Sequence, residues 1–270
     1  MINRIFFSDN GTLTDKTASL NNYHANTEEL SIVDSEDFLY ISSELPLNHL
    51  YFDIDSGAST AMTSTVQIYD GNAWSAAVDT IDETNGMTQS GFITWIPNDE
   101  KGWGRVDTDN VTTLSSITIY GKYWARIAFG STNTVTLNWL GNLFSDDNSL
   151  ADKYPALNTS ETKTSFESGK TTWKEQHIVV AQDIVNNLKS RGTILDRAQI
   201  LERRQLTPPA VHKLAALIFN SFGDAYIDQA DRAMSMYRET LNQVRLVVDN
   251  NASGAMEPSE LKVSKGVLVR

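Results

Sequence analysis

Apolar and polar positions divide this chain into a part that alternates and a part that repeats every three to four residues. Between about residues 28 and 144, the runs EDFLYISS, HLYFDI, TSTVQIYD, GFITWI, SSITIYGKYWARIAF and NTVTLNWL alternate apolar with polar residues or concentrate β-branched and aromatic ones. That is the pattern of strands burying one face. Ser56-Gly57, Asp70-Gly71, Asn85-Gly86 and Pro97-Asn98 separate the runs as turns. Asp70-Gly71-Asn72, between VQIY and AWSAAV, predicts a hairpin, because positive φ there favours Gly and Asn. Strands of this number and spacing predict an antiparallel β-sandwich of jelly-roll or immunoglobulin-like type over residues 1–145.

Residues 143–172 then turn rich in Ser, Thr, Asp and Asn with little apolar periodicity. They predict a linker over 146–171, either solvated or lying as an arm on a neighbour. A helical period follows over 172–250. Trp173, His177, Val180, Ile184, Val185 and Leu188 share one face, and Gly192 closes that helix. A short helix capped by Asp196 is expected in DRAQILERRQL.

Thr207 is then placed to cap a helix that starts at Pro208, where proline's missing donor costs nothing. Val211, Leu214, Ala215, Ile218, Phe219 and Phe222 line one side of it, and Gly223 ends it. Ala230, Ala233, Met234, Tyr237, Leu241, Val244 and Val248 line the next helix. So short a connection predicts an antiparallel helical hairpin. The fold class is thus α+β with two domains, a sandwich and then a small helical bundle. The tail, 251–270, ends in a basic–apolar alternation that can add a strand to another protein's sheet or simply fray.

This hairpin, with MSMYRETL in its second helix, resembles the C-terminal helices of head–tail connector (adaptor) proteins of tailed bacteriophages. In that family a Pro-initiated apolar helix leads into a longer one ending in an aromatic–Arg-rich turn. Tyr69-Asp70-Gly71-Asn72-Ala73-Trp74 likewise looks like a hairpin found in sandwich domains of phage structural proteins. The resemblance implies a non-enzymatic virion protein of the neck, made in the host bacterial cytoplasm and needing no cofactor. It implies a homo-oligomeric ring, twelve-fold in the family, with Leu214, Ile218, Phe222, Met234, Tyr237 and Leu241 packing within and between subunits. Partners would be the portal protein and other neck or tail proteins, with DNA passing through unbound. The tail residues Leu261, Lys262, Val263, Lys265, Val267, Leu268, Val269 and Arg270 would dock into the portal. The minimal adaptor is helical alone, so the sandwich is an addition whose role stays open.

Charge is uneven. Residues 1–160 hold 7 Lys and Arg against 21 Asp and Glu, and the rest hold 15 against 13, for a net −12. An acidic first half repels nucleic acid and anionic membrane. That suits either a soluble domain with no special partner or a wall that DNA passes without sticking. No apolar run approaches membrane-spanning length, no secretory signal is evident, and without cysteine there are no disulfides.

No reaction motif emerges. His24, His49, His177 and His212 lack ligand or triad spacing. Asp53, Asp55, Asp107, Asp109, Asp146 and Asp147 offer oxygens, but calcium needs six to eight of them and the EF-hand pattern is absent, so no metal is expected. Trp74, Trp95, Trp103, Trp124 and Trp139 read mainly as core. Trp103, between glycines, and Trp74 are the candidates for a glycan platform, which defines the alternative reading of a carbohydrate-binding or host-recognition module on a tail or baseplate component.

Overall fold

The structure, a computed structural model, describes residues 2–24, 27–33, 37–96, 103–104, 121–251 and 253. The chain folds as two units, one of Met1–Asn142 joined by the chain from Val248, the other Leu143–Val247. The architecture is α+β, a sandwich followed by helices, as the patterning predicts.

Numbered in chain order, β1 (Ile2–Asp9), β2 (Thr12–Asp15), β4 (Phe38–Ser43), β6 (Ser64–Tyr69), β7 (Trp74–Ala76) and β10 (Tyr123–Phe129) build one sheet, ordered β2-β1-β4-β10-β6-β7. The other holds β3 (Glu28–Ile32), β5 (His49–Ser56), β8 (Val78–Asp82), β9 (Gly91–Ile96) and β11 (Asn133–Gly141), ordered β3-β11-β5-β9-β8. Without the β1–β2 hairpin and the edge strand β8, the orders β4-β10-β6-β7 and β3-β11-β5-β9 are those of a jelly roll. The pleat sorts the side chains. Ile5, Phe7, Leu39, Ile41 and Ile127 meet Leu30, Leu50, Phe52, Ile93 and Leu137 in a core shared by both sheets. Phe6, Tyr40, Tyr69 and Trp124 form a separate cluster on the other face of the six-stranded sheet.

The strand pattern read from residue 28 leaves out β1, β2 and the short helix α1 (Thr17–Leu20) that follows them. Ile5, Phe6, Phe7 and Ser8 are all buried, so β1 shows no alternation. Asn10 (φ 46°) and Gly11 (φ 82°) turn this hairpin with positive φ at both central positions. The Pro97-Asn98 turn and the first part of SSITIYGKYWARIAF lie outside the described residues.

In the second unit, the segment expected as a linker is folded. It forms α2 (Asp147–Lys153), a 3₁₀ turn at Pro155–Asn158 and α3 (Ser160–Phe166). Its Ser, Thr and Asp are helix caps rather than linker composition. Asp146 and Ser149 form a reciprocal capping box, and Thr159 accepts from Thr162 N–H at the start of α3. Helices of seven residues are too short to display a period, which is why the pattern was invisible.

The core of this part is Trp173, fully buried, with Phe166 edge-on at 5.0 Å and its indole N–H donating to Leu157 O at 2.9 Å. Asp147 holds the assembly together. Its carboxylate accepts from Trp173 N–H at 3.0 Å and from Lys163 Nζ at 2.8 Å. His177 Nε2 lies 3.3 Å away, within ion-pair distance but off the hydrogen-bond direction. Burial pushes the Asp147 carboxyl up, but the closeness of His177 and then Lys163 more than reverses this and holds it at about 2.

α4 (Lys174–Ser190) buries His177, Val180, Ile184, Val185 and Leu188, as expected. DRAQILERRQL gives two 3₁₀ turns, Arg197–Gln199 with the Asp196 cap and Arg203–Leu206, instead of one helix. The second turn runs straight into α5 (Thr207–Ser221). Thr207 is therefore already helical, and its hydroxyl donates to Phe144 O at 2.8 Å instead of capping. α6 (Ile227–Gln243) stops before Val244, whose extended backbone (φ −60°, ψ 128°) leads Val248 out of the helix it was assigned to.

Gly11→Ala has open space around the new methyl and is expected to cost about 1–2 kcal/mol for left-handed backbone alone. Gly86→Ala must also accommodate a Cβ 2.4 Å from Met62 O, so its urea midpoint should fall further. For Asp147, a lowered folded pKa stabilises at pH values above that of the unfolded carboxyl, and the benefit is lost as pH falls from about 4 to about 2. Asp147→Asn should lose roughly 2 kcal/mol at pH 7 and flatten the stability profile below about pH 4. An unchanged slope there would disprove the assignment.

Candidate functional site

The proposed glycan platforms fare unequally. Trp103, expected to be exposed, is 8% exposed and belongs to the sandwich core, edge-on to Tyr123 at 6.3 Å. The glycine after it explains the spacing. Gly104 N–H donates to Tyr69 O at 2.9 Å, and a Cβ there would lie 2.1 Å from Gly71 N, so backbone packs on backbone at the β6–β7 hairpin. That hairpin forms as predicted, with Asp70 accepting from the N–H groups of Asn72 and Ala73. Trp74 is half-buried, one ring face taken by the Arg126 guanidinium at 4.7 Å. Arg126 also covers Phe38 at 4.1 Å and donates to Gln67 Oε1 at 2.6 Å.

One set of residues has the types used in acyl transfer. Ser145 Oγ lies 2.8 Å from His177 Nδ1, and the same imidazole faces Asp147. Both Ser145 and His177 are only 2% exposed, which leaves a substrate no approach to the hydroxyl. The set serves packing in the helical unit. Asp146 is a helix cap, and among the described residues no group of three or more His, Cys, Asp or Glu could hold a metal ion. Asp107 and Asp109 lie outside those residues. Among them, too, no helix is long and apolar enough to cross a membrane.

The helical hairpin supplies the other surface. Leu214, Ile218, Tyr237 and Leu241 are buried as predicted, while Phe222 and Met234 are half-buried. Tyr226, exposed at 42%, stacks on Phe219 at 6.2 Å and touches Phe222 at 5.7 Å. Phe222 continues the row to Phe166 at 6.3 Å, and Phe219 continues it to Tyr154 at 6.2 Å. These aromatics, most of them half-exposed, form a continuous band around the α5–α6 turn.

At the Tyr154 end of this band lies a cavity of about 320 Å³, lined by Lys153, Tyr154, His212, Phe219, Gln229, Arg232, Ala233 and Met236. Tyr154 Oη is 2.8 Å from Nδ1 of the buried His212. Burial, then the Lys153 charge, holds His212 below the usual imidazole range, and burial raises the Tyr154 hydroxyl. Nothing in the sequence marks this pair, whose members stand 58 positions apart, one in the segment expected as a linker and the other in the predicted helical domain. The tail residues Leu261, Lys262, Val263, Lys265, Val267, Leu268, Val269 and Arg270 lie outside the described residues.

No family model and no curated protein matches this chain. Among solved structures, a family 89 glycoside hydrolase from Clostridium perfringens in complex with PUGNAc is similar at 10% identity and a TM-score of 0.26. The match covers 72% of this chain and 20% of that enzyme, a likeness too slight to bear on fold or function.

Proposed function

We propose that this chain is a structural virion protein of a tailed bacteriophage, a head-to-tail adaptor of the neck. In this reading its helical unit assembles as a ring on the portal and links the portal to the tail. The observation that carries the reading is the aromatic band at the α5–α6 turn. Tyr226 and its half-buried neighbours Phe219 and Phe222 give a contiguous apolar strip on a unit whose own core is already closed by Leu214, Ile218 and Leu241. Partly exposed aromatics grouped in this way are the material of protein interfaces.

The resemblance of the α5–α6 hairpin to connector helices names the class of partner: copies of the chain and the portal. A ring requires a heterologous contact, one patch meeting a different patch on the next copy. The acidic sandwich would face outward or line a passage that repels DNA, and the tail would reach into the portal. In particles carrying a tagged copy, cryo-electron microscopy is expected to show the tag in a ring at the portal vertex. A tag confined to the shell or the tail tip would end the reading.

Tyr226→Asp tests the band itself. It should cost on the order of 1 kcal/mol of stability, the worth of its aromatic contacts, yet reduce recruitment to purified portal at least tenfold in a pull-down. Removing residues 261–270 should abolish that recruitment, and undiminished capture would remove the docking role from the tail.

A further inference from the structure

We propose that the cavity between the end of α2, α5 and α6 is a binding site for a carboxylate side chain on an acidic segment of a partner polypeptide. The proposal rests on the docking role given above to the helical unit. Its chemistry comes from the lining. Lys153 and Arg232 stand at the cavity, both exposed, and no carboxylate lines it. Elsewhere in this unit Lys213 is paired with Asp183 at 3.0 Å and Lys170 with Glu175 at 2.7 Å. Two cations lining one cavity that no carboxylate lines are a recognition feature for an anion.

The rest of the lining narrows the anion. Phe219, Ala233 and Met236 make one side apolar, which suits a carboxylate borne on hydrocarbon better than a bare inorganic ion. The floor is polar but satisfied within itself, since the Tyr154 hydroxyl is bonded to His212. Incoming charge is therefore met by the Lys153 and Arg232 donors. Phe219 and Tyr154 belong both to the cavity and to the aromatic band outside it. A ligand seated here continues onto that band, as a polypeptide does and a small acid does not.

The test titrates the full-length protein with acetyl-Phe-Glu-amide and acetyl-Phe-Gln-amide, followed by amide chemical shifts. The Glu peptide is expected to bind with shifts around Tyr154, His212 and Arg232, and the Gln peptide at least tenfold more weakly. Arg232→Gln and Lys153→Gln, both at exposed positions that leave the core intact, should each weaken the Glu peptide at least tenfold. Equal binding of the two peptides, or an Arg232→Gln protein that binds as well as the parent, overturns the proposal. So does 3-phenylpropanoate or inorganic phosphate binding as tightly as the Glu peptide, since either assigns the cavity to a small anion. Absence of the protein from the portal vertex would sink the neck assignment and leave the peptide result standing. Failure of the peptides would do the reverse.

Discussion

One half-buried carboxylate ties the helical unit together, and much of the surface beyond it is positioned by that contact. Asp147 takes the Trp173 N–H and the Lys163 ammonium and faces His177, so it joins α2, α3 and the start of α4 at one point. Desolvating an acid is unfavourable, and the arrangement persists only because cationic and N–H partners surround it. Fixing the first residue of α2 also fixes its last turn. Lys153 and Tyr154 stand there, and Tyr154 reaches His212 on α5. The cavity and one end of the aromatic band thus depend on a carboxylate that lines neither.

Legibility in the sequence followed element length and regularity. α4, α5 and α6 are long enough for their apolar period to repeat, and Val180, Ile184, Leu214, Ile218, Tyr237 and Leu241 are buried where that period puts them. Strands with one dry face alternate visibly, as β6 and β11 do, whereas β4 and β5, buried almost throughout, are legible from their concentration of aromatic and β-branched residues. β1 does not alternate, because Phe6 packs on the outer face of the sheet while Ile5 and Phe7 pack on the inner one. Both of its faces are buried, and a doubly buried strand carries no alternation.

Polar composition misled for a related reason. The Ser, Thr and Asp of 143–172 look like solvated chain, yet Asp146, Ser149 and Thr159 spend their hydrogen bonds on helix ends. Whether such a residue caps or merely hydrates depends on what packs behind it. Here that is Leu150, Leu157 and Trp173, and the first two make no period in the sequence. Trp103 failed in the opposite direction. Flanking glycines suggested a free loop, whereas Gly104 is there to let two backbones touch. The Tyr154–His212 pair is a purely tertiary product and had no local signal at all.

The division of charge gives the two units different physical characters. Residues 1–142 hold 6 Lys and Arg against 18 Asp and Glu, so they account for the whole net charge of −12. Residues 143–247 hold 13 of each. A neutral unit has no long-range field to steer it or keep copies apart, and its contacts are decided by short-range packing and by local exceptions such as Lys153 and Arg232. An acidic unit repels polyanions over about a Debye length, roughly 8 Å at physiological ionic strength. Joining the two in one chain puts short-range aromatic and ion-pair chemistry in one unit and a field that repels polyanions in the other. A basic helical unit would lack this division, because its own field would attract nucleic acid.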